Sequence, residues 1–422
     1  MRVGIFSDTY HPDINGIVTS IKMLETELIK QGHEVFIFCP SKHEKYNDEN
    51  VYMIKSVPLL IGKKFNYRLA FFYSKDIAKK IKSLNLDIIH TQTEFGIGFF
   101  GKIIARKYGI PFIHTYHTLW ESYLGYINPI SGGKSGYSKK FARYISRKFI
   151  RNSECVIAPS YETEKYLNIT CKVDENIFVV PTGIEIDRFN PKNISKKDVI
   201  SLKKSLGIKR SDKVVLFIGR VGEEKSIDKI ISAMKDTIKK IKNSKLVIVG
   251  GGPALDSLKK QAVDLGISDN VIFTGAVPWE SVPLYYALGD VFVNASVTET
   301  QGLTFIEAFA SGAAVVCKYA PNLSEVIRDE VNGILVKDDK EFASSIIRVL
   351  NNKDLRKSLS ANGYITAEES SSLVFGKKLI LIYSEIIDLY NYKKNNKNKK
   401  LKDAYLKNSL NKLRSKILDI NK

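Results

Sequence analysis

Cysteine is scarce: Cys39, Cys155, Cys171 and Cys317 are all there is in 422 residues, and no two form a Cys-x-x-Cys pair. A disulfide framework and a zinc site are both excluded, which suits a reducing compartment. No stretch approaches the roughly 18 uninterrupted apolar residues of a membrane span. The nearest, 379–383, runs almost at once into Glu385 and Asp388. The opening apolar run, 3–6, is too short for a signal core, so no targeting peptide is expected. An Asp-x-Asp metal motif is missing too. Acid is the last shortage, 45 Asp and Glu against 65 Lys and Arg, for a net charge of +20. That balance points to an anionic partner, nucleic acid or an acidic membrane surface, unless it reflects a codon bias towards Lys, Asn and Ile.

What is present is apolar residue, at 44% enough to rule out a disordered or fibrous chain. The length suits two domains of about 200 residues. Short apolar runs at 3–7, 34–39, 87–91, 112–116, 155–159 and 177–180 read as buried parallel strands, with helical periodicity between them at 17–31, 96–108 and 137–151. A polar, lysine-rich segment, 190–211, reads as a linker. Beyond it a second strand series occupies 213–219, 245–250, 271–274, 291–294 and 314–318. Two such series predict an α/β protein of two doubly wound, Rossmann-like domains facing across a cleft.

The chemistry-bearing residues follow strand ends. Gly302 permits a tight turn into a helix whose first N–H groups suit a phosphate. Glu299 and Glu307 flank that turn, and carboxylates accept hydrogen bonds from sugar hydroxyls. The same two acids would also serve simply to complement the helix dipole. Arg220 and Lys225 follow the 213–219 strand, where two cations could neutralise a leaving diphosphate or form an ordinary surface pair. His114 and His117 fall on different faces of the 112–116 strand, and His117, past its end, is the better site candidate. The run 250–253 is Gly-Gly-Gly-Pro, but Leu255 stands where a dinucleotide fingerprint needs its third glycine. A strand-to-helix turn is the better account of it.

Taken together, these pieces resemble the retaining, GT-B-fold glycosyltransferases of family 4. The matching residues are Asn15-Gly16, His117 within Thr115-Tyr116-His117-Thr118, Thr182-Gly183-Ile184-Glu185, Gly219-Arg220 with Glu224-Lys225, the 250–253 run, and Glu299 with Glu307. They occur in family order over roughly residues 1–390. Phe6-Ser7-Asp8-Thr9-Tyr10 and the stretch 114–123 look most like the bacterial diacylglycerol glucosyltransferase branch. Asn15 and Ser226 depart from the pattern, standing where many relatives carry glycine.

The resemblance implies a UDP-hexose donor, expected to be UDP-glucose, with its diphosphate on Arg220, Lys225 and the N–H groups of Gly302, Leu303 and Thr304. Glu307 would hold the ribose and Glu299 the hexose. His117 would meet the sugar near the reacting centre, and Gly16 would let its loop approach the phosphates. No metal or other cofactor is expected. The implied acceptor is diacylglycerol and the product an α-monoglycosyl lipid; a soluble or polyprenyl-linked saccharide is the alternative acceptor. The corresponding organisation is an acceptor and membrane-docking domain over 1–195, a nucleotide-sugar domain over 205–372, a helix over 373–392 packing back on the first domain, and a basic tail over 393–422.

Charge placement bears on the acceptor. At 100° per residue Lys64, Arg68, Phe71, Lys75, Lys79 and Lys82 share one narrow arc, which predicts a helix lying on anionic lipid. An ordinary solvated helix face is the bland alternative. The 393–422 tail holds eleven Lys and Arg against two Asp. Its apolar residues Leu406, Leu410, Leu413, Ile417 and Ile420 recur at helical spacing, for surface anchoring or a partner helix. No nucleic-acid-binding motif is present, so a peripheral protein at the cytoplasmic membrane face is expected, with no nucleic-acid partner.

Overall fold

The computed structural model describes residues 1–13, 15–41, 49–58, 68–70, 73–117, 136–297, 302–323, 326–396 and 398–420. These form two compact units, Met1–Gly183 together with Ser372–Lys422, and Ile184–Ser371.

The first unit is built on strands β1 (Arg2–Phe6), β2 (Glu34–Pro40), β3 (Val51–Ile54), β4 (Ser56–Pro58), β5 (Arg68–Ala70), β6 (Ile88–Thr91), β7 (Phe112–Thr115), β8 (Cys155–Ala158) and β9 (Ile177–Val179). Seven make one parallel sheet in the order β3-β2-β1-β6-β7-β8-β9, and β4 pairs antiparallel with β5. Alternation along the strands serves two cores. Val3, Ile5 and Ile37 meet the Gly16–Lys30 and Ser372–Asn395 helices on one face. Phe6, Phe36 and Phe38 meet the Lys75–Leu84 and Gly96–Tyr108 helices, and Phe149 of the Gly136–Ile150 helix, on the other. Burial on both sides is what a parallel sheet requires of its strands.

The basic tail folds as a helix, Lys399–Asp419, whose Leu413 and Ile417 are buried in the first of these cores. Lys416 pairs with Glu385 at 2.6 Å, and the Tyr392 and Tyr405 rings stack at 4.0 Å. The partner of the apolar stripe is therefore the chain's own Ser372–Asn395 helix.

The second unit carries β10 (Lys213–Ile218), β11 (Ser244–Val249), β12 (Val271–Gly275), β13 (Val291–Asn294), β14 (Ala314–Lys318) and β15 (Gly333–Val336). They form a parallel sheet in the order β12-β11-β10-β13-β14-β15. In each sheet the winding reverses beside the first strand, at β1/β6 and at β10/β13. Ligands of such sheets bind outside the strand C-termini at that switch point.

Two expectations need correction. The 63–82 segment is not one helix. Arg68 lies in β5, its guanidinium donating to Ser56 Oγ and Ser56 O at 2.8 Å each, so it has left the proposed arc. The helix begins only at Lys75, after an extended Ser74, and keeps Lys75, Lys79 and Lys82 exposed on one face. Lys64 and Phe71 fall outside the described residues. The 190–211 segment, read as a linker, contains a helix at Lys196–Ser205, capped by Ser195 Oγ accepting from Asp198 N. Among the described residues, no helix is long and apolar enough to cross a membrane.

Candidate active site

In the first unit, the loop after β1 is braced by its own polar side chains. Asn15 Oδ1 accepts from Val18 N at 3.0 Å, capping the Gly16–Lys30 helix, while Asn15 Nδ2 donates to Thr9 Oγ1. Thr9 Oγ1 in turn donates to Asp13 at 2.9 Å. Asn15 thus has a structural task. Asp8 joins the loops after β1 and β6, accepting from Ile97 N at 2.9 Å and from Thr93 Oγ1 at 2.6 Å. Burial outweighs those bonds and raises its pKa. Gly16 opens the helix with an exposed backbone, and a Cβ placed there would meet no protein atom within 4 Å. The protein itself does not demand glycine at that position.

Beyond β7, His117 Nε2 lies 2.7 Å from Gln92 Oε1. A carbonyl oxygen can only accept, so Nε2 carries the proton and Nδ1 is left as the ring's acceptor. Burial, with His114 nearby, pushes the His117 pKa down to about 3, so the ring is neutral at physiological pH. Behind Gln92 sits His90, fully buried, with Nδ1 at 2.6 Å from Tyr383 Oη and Nε2 at 2.7 Å from Thr115 Oγ1. His114 is a satisfied core residue, bonded to Thr91 Oγ1 and Glu94. The two histidines therefore differ as their places on the strand imply: His114 is enclosed, and His117 is partly exposed beyond the strand end.

In the second unit, the loops after β10 and β13 adjoin at the switch point, where Ser296 Oγ donates to Glu224 O at 3.3 Å. Arg220 is half-exposed, and its Nη2 donates to Glu224 Oε1 at 2.6 Å. Lys225 ends the short 3₁₀ turn Glu223–Lys225, and Ser226 follows in left-handed backbone at φ +49°. The 250–252 glycines lie against the backbone of 219–221, where a Cβ on Gly250 or Gly252 would strike a carbonyl. That close packing accounts for the glycine run without a dinucleotide.

Gly302 holds φ +68° at the cap of the Leu303–Ala310 helix. A Cβ there would come within 2.8 Å of the Phe305 ring, so conformation and space both call for glycine. Among the described residues no side chain caps this helix, so the N–H groups of Leu303 and Thr304 are open to a ligand. Among the described residues, the buried Thr304 Oγ1 has no hydrogen-bond partner. One helical turn on, Glu307 is buried and accepts from Tyr286 Oη at 2.8 Å. Burial lifts its pKa to about 7, against the lowering pull of the Tyr286 bond and of Arg188. A helix start with uncapped N–H groups, a buried hydroxyl and a buried acid thus lie within six consecutive residues. Glu299 falls outside the described residues.

The sequence reading missed Gln92, Tyr383 and Tyr286, which hold the site residues in place. A signal was available for Gln92, which follows β6 directly. Nothing in local spacing could pair Tyr286 with an acid 21 residues away, or Tyr383 with a histidine 293 residues away.

Comparison with known proteins agrees with this layout. A family model described as Glycosyltransferase Family 4 matches residues 14–188, and one described as Glycosyl transferases group 1 matches 198–366. The chain is 39% identical over 401 residues to an alpha-monoglucosyldiacylglycerol synthase of Streptococcus pneumoniae, covering 93% of this chain and 88% of that one. It is 32% identical over 400 residues to the enzyme of the same name from Acholeplasma laidlawii, covering 94% and 100%. Among solved structures, Anabaena Alr3699/HepE in complex with UDP and glucose matches with a TM-score of 0.69 at 17% identity, over 91% of this chain and 99% of that one. This likeness identifies the fold as GT-B, with two Rossmann-like units.

Proposed function

The chain belongs to glycosyltransferase family 4, and from that membership we propose that it transfers glucose from UDP-glucose to the free hydroxyl of diacylglycerol. The acceptor and the hexose are supported by the names of two relatives that align over nearly the whole chain. The observation that carries the donor site is the turn from Gly302 to Glu307, where uncapped N–H groups and the buried Thr304 hydroxyl stand beside a buried carboxyl.

In this reading the diphosphate lies on the Leu303 and Thr304 N–H groups, with Arg220 and Lys225 countering its charge. Glu307 accepts from the ribose hydroxyls and Glu299 from the hexose. Neutral His117 takes a hydrogen bond from a sugar hydroxyl at Nδ1. The bond from the anomeric carbon to the phosphate oxygen breaks as the acceptor oxygen bonds the same face of that carbon. The hydroxyl proton passes to the departing phosphate. UDP and an α-glucosyl lipid result, with configuration retained. Fixed cations and backbone dipoles stabilise the charge that grows on the leaving group, so no divalent ion is assigned a role. Working on a membrane lipid places the enzyme at the cytoplasmic face of the cell membrane as a peripheral protein.

One assay tests the whole reading. Labelled UDP-hexoses are supplied in turn with diacylglycerol vesicles, with and without chelator, and the lipid products are separated. UDP-glucose should give a monoglucosyl lipid of α configuration, undiminished by chelation. A β product, no lipid product, or loss of synthesis with chelator would overturn the corresponding part.

A further inference from the structure

The first unit has an outer helical layer whose charge is almost of one sign. The Lys75–Leu84, Gly96–Tyr108 and Gly136–Ile150 helices all cover the same sheet face. Their sequences hold twelve Lys and Arg and one acid, Asp76. The layer on the opposite face is also rich in lysine, but its three helices hold six acids where these hold one. Lys22 pairs with Glu25, Lys30 with Glu27 and Lys416 with Glu385. On the three-helix layer Arg147 reaches Asp174 at 3.4 Å, and Lys102 caps carbonyls at the end of the third helix. Lys107 donates to Tyr73 Oη at 2.7 Å and Arg143 has a partner as well, while the only acid in the sequences of these three helices is Asp76.

The third helix adds an apolar element. Phe141 and Tyr144, one turn apart, are 65% and 58% exposed, although large aromatics gain most from burial. Lys140, Arg147 and Lys148 share their side of the helix and are exposed as well. Lys148 Nζ lies 5.7 Å from the Tyr144 ring centroid.

We infer that this three-helix layer is the bilayer-docking surface, with Phe141 and Tyr144 entering an anionic membrane and the surrounding cations meeting its headgroups. The inference rests on the lipid-acceptor reading and assigns to it a face and an anchor. A phenyl ring projecting from a field of cations matches a membrane interface, where an apolar tip enters below the headgroups. Single-stranded nucleic acid is held in a basic groove with successive bases stacked on aromatic side chains, which two rings one turn apart on a single helix do not make.

Flotation with vesicles of phosphatidylcholine alone, and with 30 mol% phosphatidylglycerol, tests this on the full chain. The parent should float with the anionic vesicles and at least tenfold less with neutral ones, and added salt should release it. Phe141→Ser with Tyr144→Ser should weaken anionic binding at least tenfold. Turnover on a short-chain diacylglycerol dispersed in detergent should be unchanged, since neither residue belongs to the donor site. Lys407→Glu with Lys412→Glu, on the opposite layer, should float like the parent. If the parent floats and the aromatic double variant floats equally well, the assigned face is wrong while the lipid reading stands. If the parent floats with neither vesicle, the lipid reading itself fails. Release from anionic vesicles by a stoichiometric oligonucleotide would overturn the assignment in favour of nucleic acid.

Discussion

Tyr286 Oη donates to Glu307 Oε2 at 2.8 Å, and both residues are buried. One hydrogen bond does not offset the loss of water, so the carboxyl titrates near 7 instead of at its ordinary 4.5. A pKa raised on folding favours the fold most below pH 4.5, and that contribution is lost as pH rises through 7. The range spanned is on the order of 3 kcal/mol. Glu307→Gln cannot ionise, so it should match the parent in urea near pH 4 and exceed it at pH 8. Its affinity for UDP should fall at least tenfold, because an amide is a poorer acceptor for the ribose hydroxyls. Binding that favours the carboxylate should also release a proton at pH 6.5. Titration calorimetry in two buffers of different ionisation heat would register that release in the parent and not in the variant. Equal pH dependence of the two proteins would remove the argument.

His117 depends on a support that reaches into the C-terminal segment. Its acceptor is Gln92, whose neighbour His90 is held by Tyr383 from the Ser372–Asn395 helix. Gln92→Leu should lower turnover by roughly 10- to 100-fold through misplacement of the ring, with UDP affinity within twofold of the parent. Tyr383→Phe should lower stability by about 1 kcal/mol, since His90 Nδ1 loses its shorter hydrogen bond in a buried position and keeps only Gln92 Nε2 at 3.2 Å. With a pKa of about 3, His117 stays neutral across the working range. The rate ratio of parent to His117→Asn should therefore be constant from pH 5 to 8. A ratio that changes through pH 6.5 would show the ring titrating during catalysis.

Two left-handed positions in the second unit should respond in opposite directions. Ser226 holds φ +49° with a side chain, and Gly302 holds φ +68° without one. Ser226→Gly relieves strain and should raise stability by up to about 1 kcal/mol. Gly302→Ala adds the same strain and a methyl group within 2.8 Å of the Phe305 ring, and should lower stability by roughly 2 kcal/mol. Thermal unfolding of the three proteins side by side gives the signs. Two shifts of the same sign would contradict the backbone argument.

The parallel strands were readable because their segments are apolar on both faces, as in Val3–Phe6 and β10. Periodicity also found the tail helix, but amphipathicity states that a face is buried without saying against what; its partner was the chain's own preceding helix. The lysine arc from 64 to 82 misled for a related reason. Cations spaced at 100° intervals fit a helix, yet the segment divides at Ser74 into a strand and a shorter helix. β3 and β15 were not read, although they are as long as β6 and β13, which were. At the site, Gly302 and Glu307 were legible since a turn, a helix start and an acid follow one another in sequence. Their supports were not, because Tyr286 and Tyr383 act through contacts that only the fold creates.

Arg220 has a carboxylate partner within its own loop. Glu224, four residues on, accepts from its guanidinium at 2.6 Å, and Arg220 is half-exposed. Such an i, i+4 pair contributes only about 0.3–0.5 kcal/mol. A diphosphate, with two or more negative charges near Arg220 and Lys225, should displace the carboxylate easily. On the proposed donor site, Glu224 is a competitor that the diphosphate must replace. Glu224→Gln should leave stability within about 0.5 kcal/mol of the parent and strengthen UDP binding two- to threefold, more at low salt than at high. Arg220→Ala should weaken UDP binding and lower turnover by 10-fold or more, since the charge building on the leaving group loses a counterion. Weaker UDP binding in Glu224→Gln would instead mean that the carboxylate orients the guanidinium for the phosphate, and its effect should then show no salt dependence.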